Sequence, residues 1–201
     1  MTQTRTVGTK GVPREQREQL ILDAATAEFG RYGYAGTSLS AVATGAGVSK
    51  PLILSYFGSK DQLFVACVQR GAAELVDRIE AVLAVAQPPL DMAADTLTAI
   101  FTGLEPRPHD WNVINDRTMP AGSAAEAAAK QIRATIIGQA ARGVGAAADW
   151  KQLTDPDDVS ALVDIWAGAV TALVNWWLRH PEYSATQMSE RGRRIIAALG
   201  G

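Results

Sequence analysis

Thr37-Ser38-Leu39-Ser40-Ala41-Val42-Ala43-Thr44-Gly45-Ala46-Gly47-Val48-Ser49-Lys50 is the stretch on which the fold turns. Ser38 precedes a short helical pattern that ends near Ala46. A serine in that place accepts a backbone N–H that the first turn of a helix leaves unpaired. Gly47 supplies a sharp turn, because glycine enters positive φ at little steric cost. Ser49 then opens a second short helix, Lys50–Phe57, with Pro51 in its first turn, where proline is tolerated. Gly58 stops it. Two short helices joined by a glycine turn describe a helix-turn-helix.

Upstream, Ile21, Ala25 and Phe29 recur on one face and predict a helix from Pro13 or Arg14 to about Tyr32. Gly33 is expected to end it as a left-handed cap. Residues 1–12 read as a flexible arm. Downstream, Ser59-Lys60-Asp61-Gln62 has the spacing of a capping box and opens a helix from Lys60 to about Val85. Its apolar stripe is Phe64, Val68, Gly71, Leu75, Ile79 and Val82, and Pro88 and Pro89 break it. Further helices are expected around Leu97–Leu104, near Trp111–Ile114, and over Ala124–Ala148. Asp155-Pro156 starts another, with Leu162, Val163, Trp166, Val170, Leu173, Val174 and Trp177 in regular spacing up to His180-Pro181. A last one covers about Ala185–Leu199. No alternating run of β-branched residues occurs, so the fold class is all-α.

Composition is that of an ordinary globular chain, 47% hydrophobic and 20% charged. No unbroken run approaches the length of an apolar membrane span, so no transmembrane helix is expected. The polar N-terminus shows no apolar signal segment. The single cysteine, Cys67, excludes an internal disulfide; together these features point to the cytoplasm. Charge is uneven. Residues 1–60 carry seven cations and four anions, and the remainder carries 12 cations and 17 anions. A basic head on an acidic body suits a nucleic-acid reader joined to a domain that does not touch nucleic acid, although a swing of this size also arises by chance.

Ile21-Leu22, Ala24-Ala25, Phe29, Gly33-Tyr34, Thr37-Ser38, Val42-Ala43, Ala46-Gly47-Val48-Ser49-Lys50, Tyr56-Phe57-Gly58-Ser59-Lys60-Asp61 and Leu63-Phe64 agree in spacing with a known pattern. Over about residues 14–66 the chain resembles the TetR family of bacterial transcriptional regulators. The resemblance implies a three-helix helix-turn-helix domain over residues 13–59 and a helical ligand-binding and dimerisation domain over 60–201. It implies a homodimer through the last two helices, a palindromic double-stranded DNA operator, and an unidentified small, largely apolar effector that releases it. It implies no membrane partner. One departure stands out. The family's Thr-Leu-Tyr-x-Tyr-Phe reads Leu52-Ile53-Leu54-Ser55-Tyr56-Phe57 here, so a hydroxyl and a phosphate-contacting phenol are replaced by leucines. Leu54 can pack on a thymine methyl or a deoxyribose, or serve the core.

The second helix of such a motif presents side chains to base edges, while hydroxyls, amines and helix starts hold phosphates. Thr37, Ser38, Ser49, Lys50, Pro51, Leu52, Ser55, Tyr56 and Lys60 are the expected DNA-binding residues. Arg5 and Lys10 either follow the DNA as an arm or belong to a tail with no set role. Phe29, Val42, Val48, Ile53 and Phe57 are assigned to the core. For the effector, Phe101, Trp111, Met119, Trp166 and Val170 are expected to line a pocket with Asn115 or His109 as polar handles; equally, the tryptophans are core. Cys67 belongs with that set, as a sensor or as a buried inert thiol. With two histidines and no metal-ligand spacing, phosphate loop or nucleophile elbow, no cofactor and no catalytic site are expected. The alternatives are a DNA-binding regulator without an effector, or a helical small-molecule carrier or enzyme.

Overall fold

The computed structural model describes residues 12–200, and all the regular structure among them is helical. The elements are α1 (Arg14–Gly36), α2 (Leu39–Ala46), α3 (Lys50–Phe57), α4 (Lys60–Leu83), α5 (Pro89–Leu104), α6 (His109–Asn115), α7 (Ala124–Lys151), α8 (Pro156–Leu178) and α9 (Ala185–Gly200). Arg5 and Lys10, expected as an arm, lie outside the described residues. The chain forms two compact units. One takes residues up to Gly71 together with His109–Ile132; the other takes Ala72–Pro108 and the residues from Arg133 onward.

The first unit is built on local signals that behave as their chemistry dictates. Ser38 Oγ accepts from the Ala41 N–H at 3.1 Å and Ser49 Oγ from the Leu52 N–H at 3.3 Å, fixing the starts of α2 and α3. Gly47 adopts φ 64° and ψ 31°, the left-handed turn between them. Ser59 Oγ accepts from Gln62 N–H at 3.1 Å and starts α4. Beneath these turns lies an apolar core of Ile21, Ala25, Phe29, Val42, Ile53, Leu63, Phe64 and Val68, with Val48 and Phe57 packed half-buried against it. Phe29 and Tyr34 both meet Phe64 edge-on, with ring centroids 5.0 and 5.4 Å away.

Gly33 departs from the simple cap. Its φ is positive, 70°, but its ψ is 171°, so α1 breaks and resumes for one turn to Gly36. The reason is tertiary. Tyr34 N–H donates to Asp116 Oδ2, and Ala35 N–H donates to Thr118 Oγ1 at 3.1 Å, so the loop after α6 caps the broken turn. Also, α6 packs on α1: Asn112 Nδ2 donates to the Gly30 carbonyl at 3.0 Å. Gly30 and Gly71 admit this helix, since a Cβ on either would stand 2.7 Å from His109 or Asp110. Burial, then the nearby Arg31, lowers the His109 pKa below its ordinary 6.5, against the opposing pull of Asp110.

In the second unit α5 packs on α9. Glu105 Oε1 accepts from the Ala185 N–H at 2.8 Å, and Asp95 pairs with Arg193 at 3.2 Å. Phe101 meets the Trp177 ring edge-on at 5.4 Å. The buried Gln139 of α7 donates to the Val76 carbonyl (2.8 Å) and to Glu80 (3.0 Å) of α4. The helix α7 outlasts its expected end at Ala148. It closes at Lys151, where Gln152 takes positive φ, 56°, and Leu153 N–H returns to the Ala148 carbonyl.

Helix α8 is apolar along its length although no unbroken apolar run marks it. By length and composition alone, Pro156–Leu178 is apolar enough to cross a membrane. Val170, Val174 and Trp177 are buried, whereas Leu162 and Ile165 are exposed, Ile165 at 66%.

Candidate nucleic-acid interface

Helix α3 buries one residue, Ile53, in the core. That single anchor fixes its rotation. Lys50, Pro51, Leu54 and Ser55 are exposed, and Leu52, Tyr56 and Phe57 are half-buried. Ser55 Oγ donates back to the Leu52 carbonyl at 2.7 Å, which leaves its oxygen able to accept. The exposed face of α3 is therefore a cation and a proline at the start, a leucine in the middle and a hydroxyl beyond it. Ser38 and Ser49, both exposed, stand at the N-termini of α2 and α3, where unpaired N–H groups favour an anion.

Leu54, 38% exposed, does not serve the core. Its side chain is therefore open to an outward apolar contact.

Three expected contacts are placed differently from the rest. Thr37 is buried, and its hydroxyl donates to the Gly33 carbonyl at 2.8 Å, closing the end of α1. Lys60 is half-buried, with Nζ 4.3 Å above the centre of the Tyr34 ring. Burial lowers its pKa from the usual lysine value, while Asp61 and Asp116 pull it back up. Tyr34 itself donates its phenol proton to Asp61, and burial with that hydrogen bond pushes its pKa up to about 12. Tyr56 is gripped from α1: Arg17 Nη1 donates to its hydroxyl at 3.2 Å, and the Arg14 guanidinium lies 5.0 Å from its ring centre. Neither arginine was singled out from the sequence. The only available signal was two arginines three residues apart in the first turns of α1.

The expected effector residues do not gather in one unit. Cys67, Trp111, Asn115 and Met119 belong to the first, and Phe101, Trp166 and Val170 to the second. Cys67 and Met119 are part of the first unit's core. Cys67 is buried, and burial raises its thiol to about 12. Asn115 Nδ2 donates to the Trp111 carbonyl at 2.9 Å. In the second unit Phe101 and Val170 are buried and Trp166 is half-buried. Among the described residues, no group of three or more His, Cys, Asp or Glu side chains is placed to hold a metal ion.

A short capped helix set on its neighbour by Gly47, anchored by Ile53 and carried on α1 and α4, is a helix-turn-helix. Residues 21–67 match the family described as bacterial regulatory proteins, tetR family, and this segment is a tetR-family helix-turn-helix. The HTH-type transcriptional activator FasR of Mycolicibacterium smegmatis is 36% identical over 72 residues, which are 36% of this chain and 33% of that protein. The chain thus aligns with about a third of that relative's length. A TetR-like transcriptional regulator from Rhodococcus sp. RHA1 has a similar fold, with a TM-score of 0.70 over 94% of this chain and 99% of that one, at 24% identity. The regulator FadR from Bacillus subtilis, solved in complex with stearoyl-CoA, has a TM-score of 0.67 over 89% and 96%, at 16% identity. At such identities the likeness concerns the fold.

Proposed function

We propose that this chain is a DNA-binding transcriptional repressor of the TetR type, released from a palindromic operator by a small, largely apolar ligand. The observation that carries the DNA reading is the face of α3. Lys50, Leu54 and Ser55 are exposed on a helix whose start is capped by Ser49 and whose rotation is locked by Ile53. Lys50, Ser38 and Ser49 hold phosphates, with Tyr56 at the far end of the helix. Pro51, Leu52, Leu54 and Ser55 face the base edges. Residues 13–59 act as the reading head, and 60–201 as the ligand-binding and dimerisation part.

Two heads are needed to read a two-fold operator, with centres about 34–36 Å apart or somewhat more. The exposed side of α8, with Leu162, Ile165, Gly168, Ala169 and Ala172, together with α9, supplies the subunit interface. That use of α8 is preferred to a membrane span because the exposed Asp164 sits beside Ile165, and a carboxylate amid lipid is expensive. The chain then works in the cytoplasm as a soluble homodimer.

Phe101, Trp166 and Val170 are the proposed ligand contacts in the second unit. FadR from Bacillus subtilis was solved in complex with stearoyl-CoA, which supports a ligand with a long apolar acyl chain. Helix α4 contributes its first half to one unit and its second half to the other, so it is the element through which a ligand would bias the heads. The ligand must prefer the head spacing that does not fit DNA, or it shifts nothing. Repression needs only occlusion of a promoter, whereas activation needs a further surface for polymerase. The test is DNase footprinting on the DNA upstream of the chain's own gene, with and without long-chain acyl-CoA, beside a promoter-fusion assay. Protection lost on adding acyl-CoA, and expression that rises when the gene is deleted, support the proposal. Absent protection refutes it.

A further inference from the structure

We infer that Arg14, Arg17 and Tyr56 form a single seat for a DNA phosphate at the C-terminal end of α3. The inference rests on the proposed DNA reading and adds α1 to the surface that meets the backbone.

The geometry is specific. Arg17 bridges two elements: Nη2 donates to the Val12 carbonyl at 2.7 Å and Nη1 donates to the Tyr56 hydroxyl at 3.2 Å. The phenol oxygen accepts from a cation, so its own proton becomes a stronger donor. Among the described residues Arg17 is the hydrogen-bond partner of that hydroxyl, which leaves the proton directed to an external acceptor. Arg14 is exposed, and its guanidinium lies 5.0 Å from the centre of the same ring. A guanidinium over the ring and a phenol proton left to donate are two groups on one tyrosine, and a phosphate diester has two free oxygens to meet them.

Their position on α1 strengthens the case. Both arginines lie in the first turns of a helix, at the positive end of its dipole, where cations are disfavoured and anions are bound. Glu15 is the one acid in that first turn. Two cations facing one tyrosine there make a site whose natural complement is negative. Tyr56 lies six positions beyond Lys50, about 9 Å of rise along the helix. One anion seat therefore stands at each end of α3, and between them they fix its register in a groove.

Phosphate contacts do not depend on base sequence, so the test needs no known operator. The full chain is titrated by fluorescence anisotropy with a mixed-sequence duplex of about 30 base pairs over a range of salt concentrations, where each phosphate contact adds about 0.9 to the slope of log affinity on log salt. Arg14→Ala is the primary variant, since this side chain is exposed. It should bind several-fold more weakly with a slope lower by about one contact per head, and Arg14→Lys should restore the slope. Tyr56→Phe should weaken binding with the slope unchanged, because it removes a donor and no charge. Arg193→Ala, whose side chain pairs with Asp95 in the second unit, serves as the control and should bind as the unaltered chain does. If Lys50→Ala lowers the slope while Arg14→Ala and Arg17→Ala do not, the phosphate seat is wrong and the DNA reading stands. If the unaltered chain shows no salt-dependent binding, both fall.

Discussion

Helices α3 and α8 both expose apolar side chains, and they do so in opposite settings. On α3 the exposed Leu54 shares its helix with the exposed Lys50 and Ser55, Ser49 caps the start, and the helix is eight residues long. On α8 the exposed Leu162 and Ile165 adjoin Gly168, Ala169 and Ala172 on a helix of 23 residues. A face that mixes cations, hydroxyls and one apolar contact matches a polyanion with methyl groups in its groove. A face of large apolar groups followed by small ones matches another helix. Exposure of a leucine therefore says little by itself; its neighbours decide the partner.

Ile53 anchors α3, and its loss has the largest expected effect. Ile53→Ala removes the only α3 side chain fully buried in the core, and a cost of about 2–5 kcal/mol is expected in urea unfolding. A cost under 1 kcal/mol would mean that α3 is not held by the core. On α8, Ile165→Asp should leave the helical circular dichroism intact while converting the proposed dimer to monomer in sedimentation. The expected loss is a few kcal/mol of association, as for an unpaired charge at an interface core. Sedimentation unchanged from the unaltered chain would remove α8 from the interface. Ser49→Ala should cost about 1 kcal/mol, the usual worth of an N-cap. The same change at Ser160, exposed inside α8, should be near neutral.

The smallest expected effect is a pH slope. The folded His109 pKa lies below its unfolded value near 6.5, so folding favours the neutral ring. Its contribution is complete above the unfolded value and is lost as pH falls from there through the folded one. His109→Gln should flatten that part of the stability–pH curve, measured by denaturant midpoints. A curve unchanged by the substitution contradicts burial of a neutral His109.

The same contrast explains what could be read from the chain. Ser38, Gly47, Ser49, Gly58 and Ser59 act within three or four residues of themselves, so the bounds of α2 and α3 follow from local chemistry. The unusual ψ of Gly33 depends on Asp116 and Thr118, more than 80 residues away, and no local rule reaches that far. Thr37 reads as a surface hydroxyl by type, yet its carbonyl partner at Gly33 turns it inward. Lys60 sits over Tyr34 because α1 and α4 cross there. The grip of Arg14 and Arg17 on Tyr56 spans about forty residues and was silent in the sequence for the same reason. In the second unit α8 was legible as a helix. Its exposed side was not, since periodicity reveals a stripe and not what covers it.

In the proposed function α3 is the element that enters DNA. Anisotropy titration of a duplex from the region upstream of the gene, comparing the unaltered chain with the double variant Lys50→Ala, Tyr56→Phe at fixed salt, tests this most directly. Loss of about one hydrogen-bonding group at each end of the helix predicts affinity weaker by roughly 10–100-fold. Equal affinity for the two proteins would contradict it.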